Sequence, residues 1–364
     1  MMSLQGFWMG EAGQVAGQRR GVMLGIAAAA LFGCSPPIAK LLLPRAGVLP
    51  LSGLLYLGAG LGLTLVRAVR RASGGSSREA PLRVRDWWLL FAVVALGGAL
   101  GPFLMLTGLS RLSGLAGSLL LNLEAPLTIV IAVLFFREHL GKRQVAAVAA
   151  VILGAMLLGW QPGRFAGDGE GVVAVAAACL CWAIDNNLSQ RLSLRDPVAV
   201  VQVKGVGAGA CVLLIALFTG VSFPGPALIS AALLVGVFSY GLSLVLNMQA
   251  LRVLGAARQA AIFATAPFIG AILSVPLLGD RPNLLTLVAG ALMVAGVAAL
   301  ALENHQHFHR HQPLEHEHLH VHDEHHQHPH LGPVTEPHSH PHVHSPLVHD
   351  HPHVPDLHHR HPHR

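Results

Sequence analysis

Charge is scarce in this chain. Asp, Glu, Lys and Arg make up 12% of its 364 residues, where soluble domains carry about 25%. Cysteine is scarcer, with 4 residues, Cys34, Cys179, Cys181 and Cys211, all within apolar runs. They imply no disulfide framework. Cys179 and Cys181 lie about 200° apart around a helix, so they cannot share a metal; all four read as small packing residues. Ahead of residue 305 there is a single histidine, His139. No nucleophile–base pair and no cofactor motif is present. An enzyme is therefore not expected, nor a required cofactor, nor a nucleic-acid partner.

Apolar sequence is abundant: 53% of residues are hydrophobic and the mean hydropathy is +0.56. Charges fall in short loops between apolar runs. Ten such runs are long enough to cross a bilayer, which takes roughly 20 residues, about 17 being the lower limit. They cover 21–43, 48–66, 87–108, 115–136, 144–160, 171–189, 197–219, 226–248, 257–278 and 284–301. Only helices satisfy the backbone of such segments in lipid without closing a barrel. The expected fold class is all-α integral membrane, with the lipid bilayer as its first partner.

One stretch occurs twice, 141 residues apart: Arg111-Leu112-Ser113-Gly114 to Ala125-Pro126, and Arg252-Val253-Leu254-Gly255 to Ala266-Pro267. Each copy continues through an apolar helix to a charged end, Arg137-Glu138 or Gly279-Asp280, and then to a segment with a late glycine, Gly154 or Gly296. Repeats are sought first because they decide the architecture. Five spans per copy force the halves into opposite orientations, an inverted repeat with a substrate site between the halves. The domain reading is a cytoplasmic lead at 1–20, a first repeat at 21–160, a linker at 161–170, a second repeat at 171–302, and a separate tail at 303–364.

Orientation follows from the basic residues, which short cytoplasmic loops retain. With the N-terminus inside, the outer loops hold only Arg45, Arg111, Arg164 and Arg281. The remaining loop lysines and arginines lie inside, and ten spans place the tail there as well. Arg19-Arg20 before the first run imitates a secretory signal, but that run is too long for a signal core, so it reads as a retained helix. A multi-pass protein of the cytoplasmic membrane is expected. The glycine pairs Gly58/Gly62, Gly97/Gly101 and Gly205/Gly209 have close-packing spacing and read as packing positions, leaving a homodimer open.

Ionisable groups inside a membrane are costly and usually face a cavity or a partner. Glu124 is the leading candidate: it lies mid-span in Asn122-Leu123-Glu124-Ala125-Pro126, where Pro126 breaks the backbone ladder. It could bind a cation, exchange a proton, or serve structure alone. Lys204, deep in span 7, is expected as its counter-charge, with Asn122 and Asn187 lining the site. Lys40, near the outer end of span 1, is expected to snorkel. Asp185-Asn186-Asn187 reads either as part of the site or as a solvated helix end. Thr265 holds the repeat position of Glu124, and Pro267 that of Pro126, so the halves are chemically unequal. Glu138 and Asp280 read as boundary or gating groups.

These residues resemble the drug/metabolite transporter superfamily, with two EamA-type five-helix repeats. The resemblance rests on Gly114 to Pro126 with Arg137-Glu138, on Gly255 to Pro267 with Gly279-Asp280, on Lys40, and on Cys181-Trp182-Ala183-Ile184-Asp185-Asn186-Asn187. It implies ten helices, cytoplasmic termini and a central cavity opened alternately to each side. It also implies gradient-linked export or exchange of small organic solutes. Asp280 stands where the second repeat commonly has Glu.

The tail carries every histidine except His139, many as His-x-His: His305/His307/His309, His316/His318/His320/His322 and His338/His340/His342/His344. In an extended chain residues two apart share a side, and imidazole pairs suit zinc, nickel, copper or cobalt. Frequent prolines argue against a helix, and the tail is expected to be disordered without metal. His316-Glu317-His318-Leu319-His320 matches the zinc-protease pattern, but that motif needs a stable helix, a third ligand and a cleft. Three readings result: a permease, expected to be an exporter, of a small organic solute; a divalent-metal permease with the tail as collector or sensor; or a membrane-anchored metal buffer.

Overall fold

The computed structural model describes residues 4–75, 79–136, 141–159, 165–254, 256–301, 305–310, 314–320, 338–344 and 348–353. Among these, nine helices are long and apolar enough to span a membrane, and a tenth apolar helix, Leu284–Leu300, is slightly shorter. The nine spans are Arg19–Ala46, Val48–Ala72, Val84–Arg111, Gly114–Ile131, Lys142–Gly159, Gly169–Ser189, Pro197–Phe218, Pro226–Leu254 and Ala261–Leu278. Large apolar side chains remain exposed around the bundle, such as Phe91, Met156 and Ile272. Lipid, not water, suits such a surface. The lead and the linker are not wholly loop: the first helix begins at Leu4, and the helix carrying span 6 begins at Phe165.

The packing maps onto itself when the halves are exchanged. Span 2 packs on span 7, span 4 on span 9 and span 5 on span 10, while span 3 against span 6 is matched by span 8 against span 1. Two late glycines show the symmetry directly. A Cβ on Gly154 would sit 2.9 Å from Ala289 O, and one on Gly296 would sit 2.8 Å from Ala147 O. Spans 2 and 7 cross as closely, since a Cβ on Gly205 would lie 2.5 Å from Gly60 N. With little apolar driving force between helices in lipid, such close backbone approach supplies the packing.

Both halves interrupt the same two helices. Span 3 carries a π-helical segment, Val94–Leu100, and span 8 another, Gly236–Leu242. Span 4 breaks at a one-turn 3₁₀ helix, Leu121–Leu123, and restarts at Glu124. Span 9 stops at Phe263 and restarts at Ala266, with Thr265 as N-cap. Pro126 and Pro267 lie just inside the restarted helices, where a missing N–H is harmless. π turns and mid-helix 3₁₀ turns recur at functional positions and hinges.

The tail departs from the expected disorder. Strands β1 (His305–Arg310), β2 (Leu314–His320), β3 (His338–His344) and β4 (Val348–His353) form two antiparallel ladders, β1 with β4 and β2 with β3. Alternation of period two is the strand period. Pro341 and Pro352 are tolerated because every strand of a two-stranded ladder is an edge. His322 and Glu138 lie outside the described residues.

Candidate functional site

The break in span 4 puts Glu124 at the start of a helix instead of in the middle of one. Its carboxylate is half-buried, and Oε1 accepts a 2.7 Å hydrogen bond from Asn186 Nδ2, whose residue is exposed. Asn186 comes from span 6, so the contact joins the two halves. The break is stabilised from the same helix: the Cys179 thiol donates to Leu120 O and Leu121 O at 3.7 Å each. Asn122 is buried and donates to Leu119 O at 3.0 Å, while its Oδ1 has no donor among the described residues. Thr265, at the equivalent break, is exposed and donates to Ile262 O at 2.7 Å.

Next along span 6 lies a charged pair. Lys204 Nζ donates to Asp185 Oδ2 at 2.5 Å, and the two side chains are only 10% and 8% exposed. Lys204 thus makes its direct ion pair with Asp185, where the sequence pointed to Glu124. Asp185 in turn is not a solvated helix end. It points from span 6 towards span 3, where a Cβ on Gly97 would lie 2.3 Å from its Oδ2. Gly97 is the position that lets the carboxylate in. Removing one member of such a pair strands a buried charge and costs about 3–5 kcal/mol.

Gly97 also organises the aromatic residues. Its carbonyl lies within the π segment and accepts hydrogen bonds from Tyr56 OH at 2.8 Å and Trp182 Nε1 at 3.0 Å. Phe32 stands edge-on to Trp182 and Tyr240, with ring centres 6.1 and 5.6 Å away, and Tyr240 lies 5.2 Å from Tyr56. Ser35 Oγ donates to Tyr240 OH at 3.2 Å. An aromatic core drawn from spans 1, 2, 6 and 8 therefore packs on the helix that presents Asp185 and Asn186. The sequence reading missed it. The available signal was scarcity, because Tyr56 and Tyr240 are the only 2 tyrosines in the chain.

The two ends of the bundle are tied differently. At one end Lys40 Nζ donates to Leu109 O at 2.5 Å and Leu112 O at 2.6 Å, capping span 3. Lys40 therefore does not snorkel, because the orphan carbonyls of a helix C-terminus offer a cation bonds within the protein. Left-handed Gly279 (φ 70°) ends span 9 and turns the chain so that Asp280 Oδ2 accepts from Leu115 N at 2.7 Å, at the start of span 4. At the other end Arg252 Nη1 donates to both Glu79 carboxylate oxygens at 2.7 Å, and its Nε donates to Ser193 O at 3.0 Å. Its Nη2 donates to Arg195 O. Arg195 Nε meets Asp86 Oδ2 at 2.9 Å, with both side chains buried. This second network joins the loop between spans 2 and 3 to the loop between spans 6 and 7.

Residues 19–160 and 169–302 each match the EamA-like transporter family. The chain belongs to that family. It is a multi-pass membrane transporter and not an enzyme. An uncharacterized transporter of Methanothermobacter thermautotrophicus is 29% identical over 289 residues, covering 76% of this chain and 84% of that one. A solved structure titled only as the crystal structure of a protein superposes with a TM-score of 0.57 over 78% of this chain and 96% of its own, at 21% identity. That likeness concerns the fold alone.

In this EamA-family chain the structure brings Glu124, Asn186, Asp185 and Lys204 into one mid-span cluster joining spans 4, 6 and 7. Asn187 is next to the cluster but turned away, donating to Ala183 O at 2.8 Å and Thr128 O at 3.3 Å. Lys40 stands apart at the helix end. Adjacent residues on a helix point about 100° apart, so only packing decides that Asn186, not Asn187, meets Glu124.

Proposed function

We propose that this transporter exports a small organic solute by rocking its two halves about the mid-span cluster, with Glu124 as the coupling or substrate-charge group. One observation carries the reading. The Lys204–Asp185 charges neutralise each other, whereas the side-chain partner of Glu124 among the described residues is a neutral amide on the opposite half. A carboxylate so placed can change partner or protonation as the halves separate. The buried Oδ1 of Asn122, two residues earlier, offers an acceptor for a solute donor. The arginine bias of the loops supports an N-terminus and a tail on the cytoplasmic side of the cytoplasmic membrane.

The test compares cells making the wild type, Glu124→Gln, or neither, with solutes in the medium and cytoplasm measured by mass spectrometry. At least one organic solute is expected outside only with the wild type, at equal amounts of membrane-inserted protein. Export by Glu124→Gln at the wild-type rate would remove Glu124 from the mechanism. Accumulation inside the wild-type cells would reverse the direction.

A further inference from the structure

The two tail ladders share one register. The β1–β4 ladder ends with Arg310 opposite Val348, and the β2–β3 ladder starts with Leu314 opposite His344, the same number of residues further on along each strand. Within that register histidine faces histidine. His305, His307 and His309 lie opposite His353, His351 and His349. His316, His318 and His320 lie opposite His342, His340 and His338. Residues two apart on a strand and their cross-strand partners share a face. Each ladder therefore gathers its paired histidine positions on one face. A slip of one residue in either direction would set each of these histidines against a residue other than histidine.

We propose that the tail is a divalent transition-metal site built from cross-strand histidine pairs, in which bound metal fastens the two arms of the ladder together. Directly opposite positions are about 4.5–5.5 Å apart at Cβ, a span that two imidazoles at roughly 2.0–2.1 Å from a zinc ion can bridge. Two successive pairs, such as His316/His342 and His318/His340, supply an all-nitrogen set suited to zinc, nickel, cobalt or copper. Such sites load only with neutral imidazoles, so acid empties them. The inference is independent of the transport reading, because the ladders lie outside the ten spans. Among the residues whose side chains are described, no comparable group of His, Cys, Asp or Glu occurs.

The experiment is equilibrium dialysis of full-length protein in lipid nanodiscs against zinc chloride, repeated with nickel chloride, with bound metal read by mass spectrometry. Wild type is compared with H316A/H318A, with H340A/H342A, with all four substitutions, and with H325A/H326A outside the four strands. The two strand variants are expected to lose the same tight equivalents as the fourfold variant, because a cross-strand site fails when either arm is removed. H325A/H326A should keep them. Losses proportional to the number of histidines removed, equal for H325A/H326A, would overturn the ladder in favour of a loose polyhistidine. Binding no greater than that of protein stopped after Glu303 would overturn any tail site.

Discussion

Arg111 and Arg252 hold the same place in the two copies of the repeat, yet they sit in different company. Arg111 pairs with Glu170 at 2.7 Å, with side chains 46% and 69% exposed. Arg252 and Glu79 are each 20% exposed, and the same guanidinium also binds two backbone carbonyls. Duplication conserved the helices and their crossings but not the polar ties at their ends. One end of the transporter is held by a network through three loop regions; the equivalent arginine at the other end holds one solvated pair. The Arg252 guanidinium makes several charge-assisted bonds at once, whereas the Arg111 guanidinium makes one solvated ion pair.

That contrast can be broken at three points. The largest effect is expected for Arg195→Ala, which deprives buried Asp86 of its guanidinium partner and should cost about 3–5 kcal/mol, read as a large fall in melting temperature in detergent. Arg252→Ala comes next, at about 1.5–3 kcal/mol for lost hydrogen bonds to a charged group, and should also raise proteolysis between residues 72 and 87. Arg111→Ala should cost under about 1 kcal/mol, within the scatter of the melting curve at 0.15 M salt. Equal losses for Arg252→Ala and Arg111→Ala would mean that the network seen at one end contributes no more than the single pair at the other.

Much of the fold was legible because each span must bury its own length of apolar chain or expose it to lipid, and because the repeat is written twice. The helix breaks were legible from Ala125-Pro126 and Ala266-Pro267. The site was legible only in part. Glu124 stands out as a charge in a span, but the direct pairing of Lys204 with Asp185 does not. Depth along two helices can be counted from sequence, whereas their relative rotation cannot. The π segment at Val94–Leu100, which brings Gly97 against Asp185, has no hydropathy signature. The alternation of the tail histidines was visible as a period of two, but nothing local in it specifies which strand pairs with which.

The sequence by itself determined the membrane class, the ten apolar segments, the twofold repeat and the residues costly enough in lipid to mark a site. These follow from the free energy of placing each residue type in hydrocarbon, a local property of the chain. Only the tertiary structure decided that Asp185 takes Lys204, that Glu124 takes Asn186, that Lys40 caps a helix, and that Arg252 ties two loops together at one end. Those choices depend on the rotation and close approach of helices far apart in sequence, set by glycines and aromatic rings at their crossings.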